Sequence, residues 1–128
     1  MMLDSEPKQE SAAHEELVMV GGTPGADWQP QVGLQILDNV LRQGMELQDA
    51  LDAPRWSTLT QFGAGFDRIA VEARDDDALG ASLRAAGFEV VESASRWARA
   101  GIVYAATRDE DGVAVAADLR GEGLGIVG

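Results

Sequence analysis

The residues that could do chemistry lie in one stretch, Gly22-Thr23-Pro24-Gly25-Ala26-Asp27-Trp28-Gln29-Pro30-Gln31. It follows a short apolar run, Leu17 to Val20, that stops at Gly21 and Gly22, and it precedes apolar residues at helical spacing. This order predicts a buried strand passing through a glycine loop into a helix. Several N–H groups of such a loop can point the same way, beside a helix N-terminus worth roughly half a positive charge. The loop suits an anion: a bound carboxylate or phosphate, or an oxygen that turns negative during acyl transfer. The plainer alternative is that Gly21, Gly22 and Gly25 only let the chain turn. Neither the GxGxxG spacing nor a terminal Lys-Ser/Thr is present, so nucleotide binding is disfavoured.

Few side chains offer catalysis. There is no cysteine and a single histidine, His14, which sits in a polar acidic stretch and reads as a solvated residue. Disulfides, thiolate nucleophiles, a two-histidine metal site and a Ser-His relay are thereby excluded, and no metal or cofactor is expected. Asp75, Asp76 and Asp77 are consecutive, so their side chains diverge; they suit the positive end of a helix better than a calcium ion. Arg55, between Pro54 and Trp56, is expected in a structural ion pair or as a packed stem. Asp118-Leu119-Arg120 is expected to make a turn or an ion pair. Trp28 and Trp97 are expected as core or interface anchors.

The elements that must position the loop follow from periodicity. Val32, Ile36 and Val40, with Leu37 and Leu41 beside them, predict a helix with a wide apolar face from Pro30 to Gln43, ended by Gly44. Leu47, Ala50 and Leu51 predict a helical turn before Pro54, and Arg55 to Leu59 an extended segment. Ile69 and Val71 put a half-buried strand at Arg68 to Ala73. A helix with Leu79, Leu83 and Ala86 on its buried side should run from the aspartates to Gly87. Strands follow at Phe88 to Val91, Ile102 to Ala106 and Val113 to Ala117, the last two joined by a hairpin at Arg108 to Gly112. These elements predict an α+β fold, a layered sheet with helices on one face.

At 128 residues with 45% apolar and 25% charged, the chain is sized for one core-forming domain, expected at residues 17–128 behind an acidic arm at 1–16. Ten Lys and Arg against 22 Asp and Glu give a net charge of -12, which repels phosphate backbones and anionic lipid alike. Neither nucleic acid nor a membrane is expected as a partner. No signal peptide or membrane span is legible, which leaves the cytoplasm as the default expectation.

The ordered motifs GTPGADWQPQ, Gly44-Met45, ALDAPRW, VEAR, LRAAGFEV and AADLR resemble the C-terminal part of the gamma-glutamyltransferase family of N-terminal-nucleophile hydrolases, over about Leu17 to Gly128. The resemblance implies a share of a four-layer αββα sandwich and transfer or hydrolysis of gamma-glutamyl groups of a small molecule. It also implies that Gly22, Thr23 and Pro24 belong to the substrate-binding loop, and that the N–H groups of Gly25 and Ala26 form the oxyanion hole. Ala26 stands where the family usually has a second glycine. The family's nucleophile is an N-terminal threonine, whereas Thr23, Thr58, Thr60 and Thr107 are internal and lack the free amine that serves such enzymes as base. The chain by itself is therefore expected to be inactive, its partner being a nucleophile-bearing remainder of the enzyme. The alternative, from another class, is a non-catalytic relative acting as a dimeric binding module.

Overall fold

The computed structural model describes residues 18–24, 28–59, 65–93 and 101–126. Among them the order is β1 (Met19–Gly22), α1 (Gln29–Leu37), a π-helical turn (Asp38–Arg42), α2 (Leu47–Asp52), β2 (Trp56–Thr58), β3 (Arg68–Glu72), α3 (Ala78–Ala85), β4 (Glu89–Ser93), β5 (Tyr104–Asp109) and β6 (Gly112–Ala117). The strands divide between two small sheets, β1-β5-β6 and β2-β3-β4. The expected α+β class holds, with two sheets in place of one.

The first sheet is antiparallel throughout. Its core face meets α1 and α2: Trp28, Val32, Ile36, Leu47 and Leu51 pack with Val103, Ala105 and Ala116. Helices therefore cover one face, as the periodicity implied. The expected hairpin is present, with Asp109 paired to Gly112 and the Asp111 amide donating to Asp109 Oδ1 at 2.9 Å. Along the other flank runs the glycine-rich C-terminal stretch. Gly123 abuts Tyr104 and Ala117, Gly125 abuts Val115, and the Tyr104 hydroxyl donates to the Glu122 carbonyl at 2.9 Å.

In the second sheet β3 is central, antiparallel to β2 and parallel to β4, with α3 as the crossover. The expectation of one buried face on this strand is corrected: Ile69, Ala70, Val71 and Glu72 are all buried, and since successive side chains point to opposite faces, both faces of the sheet are covered here.

Other expectations also need correction. The strand ahead of the glycine loop is an edge, not a buried element; it takes in Gly21 and Gly22, and Val20 is exposed. Gly21 belongs there because a Cβ would stand 3.1 Å from both the Ala105 Cβ and the Tyr104 carbonyl oxygen. The long helix changes to π-helical winding after Leu37, and Leu37 and Leu41 face outward. Leu37 and Leu41 each follow a core-facing residue, Ile36 and Val40, and sit about 100° further round the helix, which carries them off the buried stripe. Gly44, at φ +70°, does end the helical run. On α3 Leu79 and Leu83 are half-buried, while Ala86 is exposed in the terminal turn. That turn closes with the Phe88 amide donating to Leu83 and the Gly87 amide to Arg84, with Gly87 at φ +97°, a Schellman arrangement.

Candidate functional site

The glycine loop leaves β1 at Gly22 and reaches α1 through Trp28, whose ring is 2% exposed and anchors the helix start in the core. The expected oxyanion residues Gly25 and Ala26 lie outside the described residues, as do His14, Thr60 and Trp97. What is described is the frame on either side. Thr23 is half-buried and its hydroxyl donates to the Pro24 carbonyl at 2.8 Å. Beside it a cleft of about 490 Å³ runs between the edge strand and α1, lined by Met19 to Thr23, Gln29, Gly33, Ile36, Leu37 and Val103. Its walls are apolar except at Thr23 and Gln29, so polar recognition in this cleft falls to backbone groups and those two side chains.

Helix α1 is held in place from its inner side by two glutamines one turn apart. Gln31 Oε1 accepts the Thr58 amide at 2.9 Å, and Gln31 Nε2 donates to the Thr58 hydroxyl at 3.2 Å. Gln35 Oε1 accepts the Trp56 amide at 3.1 Å, and Gln35 Nε2 donates to the Trp56 carbonyl at 2.9 Å. The two side chains act as a substitute strand along β2, satisfying backbone groups that a third strand would otherwise take. Thr58 is thus committed to structure.

Among the described residues the charges pack most densely in a buried quartet, Arg55, Glu72, Asp118 and Arg120, with side chains at most 1% exposed. It brings together Arg55, Asp118 and Arg120, for each of which an ion pair was one expectation, in pairs that are fully desolvated. Arg55 Nη2 meets Asp118 Oδ2 at 2.6 Å, and Arg120 Nη1 meets Asp118 Oδ1 at 3.0 Å. Arg120 also grips Glu72 with two nitrogens, and donates to the carbonyls of Leu51 and Ala53. The Arg55 amide donates to Glu72 Oε2 at 2.9 Å. Within the quartet two positive and two negative charges cancel, which is the condition for keeping them in a low-dielectric interior, and the partly exposed Arg74 approaches Glu72 Oε2 at 3.7 Å from the rim.

Burial pushes the Asp118 carboxyl up, but the amides of Arg120 and Val103 and the guanidiniums of Arg55 and Arg120 outweigh it, so its pKa falls below the usual range. Burial, with Arg120 nearby, lowers the Arg55 pKa against the pull of Asp118. Arg120 is raised: burial opposes its charge, and the bonds to Glu72 and Asp118 prevail. Glu72 was not singled out in the sequence. The signal was available, since a carboxylate closing the apolar strand Ile69-Ala70-Val71 needs a buried cation.

The aspartates before α3 stay outside its first turn. Asp76 Oδ1 accepts the Ala78 amide at 3.0 Å, while Asp77 turns to Arg84 at 2.6 Å. Among the described residues no cluster of His, Asp or Glu is arranged to hold a metal ion, and no helix is long and apolar enough to cross a membrane.

Comparison with known proteins bears on this frame directly. The family model described as gamma-glutamyltranspeptidase matches residues 11–127. The oxamate amidohydrolase proenzyme of Klebsiella pneumoniae is 36% identical over 73 residues, 57% of this chain and 14% of that protein. The glutathione hydrolase-like YwrD proenzyme of Bacillus subtilis is 31% identical over 106 residues, 82% of this chain and 20% of that protein. The chain therefore spans a minor part of the length of the curated relatives it matches. Among solved structures, the gamma-glutamyltranspeptidase from Pseudomonas nitroreducens complexed with L-DON superimposes with a TM-score of 0.67 at 26% identity, covering 86% of this chain and 55% of that one. The transpeptidase CapD of Bacillus anthracis shares the fold with a TM-score of 0.68 at 24% identity. The two small sheets with their helices are thus part of an N-terminal-nucleophile hydrolase architecture. With the family model matching from residue 11 to residue 127, this chain belongs to the gamma-glutamyltranspeptidase family.

Proposed function

We propose that these residues form the oxyanion-loop-bearing C-terminal part of a gamma-glutamyl transferase or hydrolase, acting with a nucleophile-bearing portion of the enzyme that they do not contain. The observation that carries this reading is the placement of GTPGADWQPQ between an edge strand and a core-anchored helix, beside a cleft, within a match to the family over residues 11–127. In this reading the N–H groups of Gly25 and Ala26 receive the oxygen that becomes negative as the acyl carbon turns tetrahedral; losing one such donor costs roughly 10²- to 10³-fold in kcat. Gly22, Thr23 and Pro24 flank the acyl group. In this reading none of the described threonines is the nucleophile: Thr23 is internal with its hydroxyl on the Pro24 carbonyl, Thr58 is bonded to Gln31, and Thr107 lies within β5. The relatives named as an oxamate amidohydrolase and a glutathione hydrolase-like protein support a small amide as substrate, and the Ala26 side chain supports a hole shaped differently from the two-glycine form.

The test is turnover of a gamma-glutamyl anilide, with oxamate as a second amide. The 128-residue chain alone is expected to be inert, and the enzyme that also carries the nucleophile is expected to be active. Gly25→Pro, which deletes a donor, should then lower kcat by about two orders of magnitude. Robust turnover by the chain alone, or undiminished kcat in Gly25→Pro, overturns the reading.

A further inference from the structure

Resting on the reading above, we propose that Arg55 is a positioning residue for the catalytic loop, acting through Gly101. The guanidinium of Arg55 is divided between two tasks. Nη2 pairs with Asp118 and donates to the Leu51 carbonyl at 3.0 Å, while Nη1 donates to the Gly101 carbonyl at 2.9 Å. Asp118 holds the same short segment at its other end: Oδ2 accepts the Val103 amide at 2.9 Å, and the Asp118 amide donates back to the Val103 carbonyl at 3.0 Å. Gly101 to Val103 is therefore clamped by a buried ion pair.

The clamped segment is the seat of the loop. Gly101 has φ +87°, and a Cβ built on it would come within 2.7 Å of the Thr23 hydroxyl and 3.5 Å of both Val32 methyls. The bare Cα of Gly101 is thus the surface against which Thr23, the first residue after β1, comes to rest. Thr23 in turn is bonded to Pro24. Where Arg55 sets the Gly101 carbonyl, it sets the floor under Thr23, and hence the point from which the loop departs toward α1. Arg55 touches no reacting group in this scheme. Lysine at 55 would keep the charge but lose the fork that reaches Asp118 and Gly101 at once.

The experiment is amide NMR of the 128-residue chain with Arg55→Lys, Gly101→Ala, Thr23→Ala and the Gly101→Ala/Thr23→Ala pair. Arg55→Lys and Gly101→Ala are expected to move the Gly22 and Thr23 amide peaks while leaving the hairpin amides at Glu110 to Gly112 in place. Removing the Thr23 hydroxyl should restore part of the Gly101→Ala displacement, a non-additive result that neighbours in contact give and separate sites do not. A purely stabilising Arg55 would lower the melting temperature with Gly22 and Thr23 unmoved and the cycle additive; that outcome overturns the proposal. If Arg55→Lys does not fold, an additive cycle still overturns the proposal, because Arg55 reaches Thr23 only through Gly101. In the active enzyme, Arg55→Lys should reduce kcat about tenfold or more with KM within about twofold, the pattern of a displaced catalytic group. Moved peaks with unchanged anilide turnover would instead sink the acyl-transfer reading and leave the clamp standing.

Discussion

Glu72 shows how a single residue can decide the interior of this protein. It closes an otherwise apolar strand and is buried, yet Arg120 grips both carboxylate oxygens and the Arg55 amide supplies a further donor. Removing its charge leaves Arg120 with Asp118 as its remaining carboxylate and one net positive charge in the core. Glu72→Gln is therefore expected to lower unfolding stability by about 3 to 5 kcal/mol in urea titration, far more than an exposed pair would lose. A loss under about 1 kcal/mol would mean that the guanidinium escapes to water. Asp118 adds a pH dependence. Its carboxyl titrates below the ordinary range in the folded chain, so the unfolded chain binds its proton first. Stability from this group is complete above about pH 5 and is lost as pH falls through the lowered value. Melting temperatures from about pH 5 to 2 should fall less steeply in Asp118→Asn than in the parent, and equal slopes would refute the assignment.

Among the elements, α1 carries the most structural consequence, because it joins three things: the loop, the first sheet and the second. Val32 and Ile36 bury against β5 and β6, while Gln31 and Gln35, at i and i+4, project from the same helix to the edge of β2. Gln35→Leu keeps the bulk but strands the Trp56 amide and carbonyl; it should cost about 1 to 3 kcal/mol for each group left without a partner and should speed hydrogen exchange at Trp56. Unaltered exchange there would mean that water substitutes. Helical spacing exposed Val32 and Ile36 as core residues but not the role of the glutamines, since polar residues on a helix normally read as solvent-facing. The π-helical turn was equally hidden.

Across the whole molecule two tendencies oppose each other. Leu34, Leu37, Leu41, Val18 and Val20 are large apolar residues at the surface, which favours association, while a net charge of -12 favours separation. The described chain is expected to self-associate weakly and more strongly as salt rises, because screening weakens repulsion and leaves apolar contact intact. Light scattering across a salt series checks this; a monomer at every ionic strength would remove the dimeric-module alternative.

The positions of strands, helices and the hairpin, and the resemblance carried by GTPGADWQPQ, ALDAPRW and AADLR, were legible in the residues alone. They depend on local periodicity, glycine and proline geometry, and motif order, all of which are written along the chain. The sequence also offered an ion pair or a packed stem for Arg55 and a turn or an ion pair for Asp118-Leu119-Arg120. It could not say that they share one buried cluster with Glu72, or that Arg55 reaches Gly101 beneath Thr23. Those contacts join residues 17 to 78 positions apart, and which charges lose water together is set by how two sheets and a helix close on one another. Only the packed interior, where an unpaired charge is intolerable, selects partners at that distance.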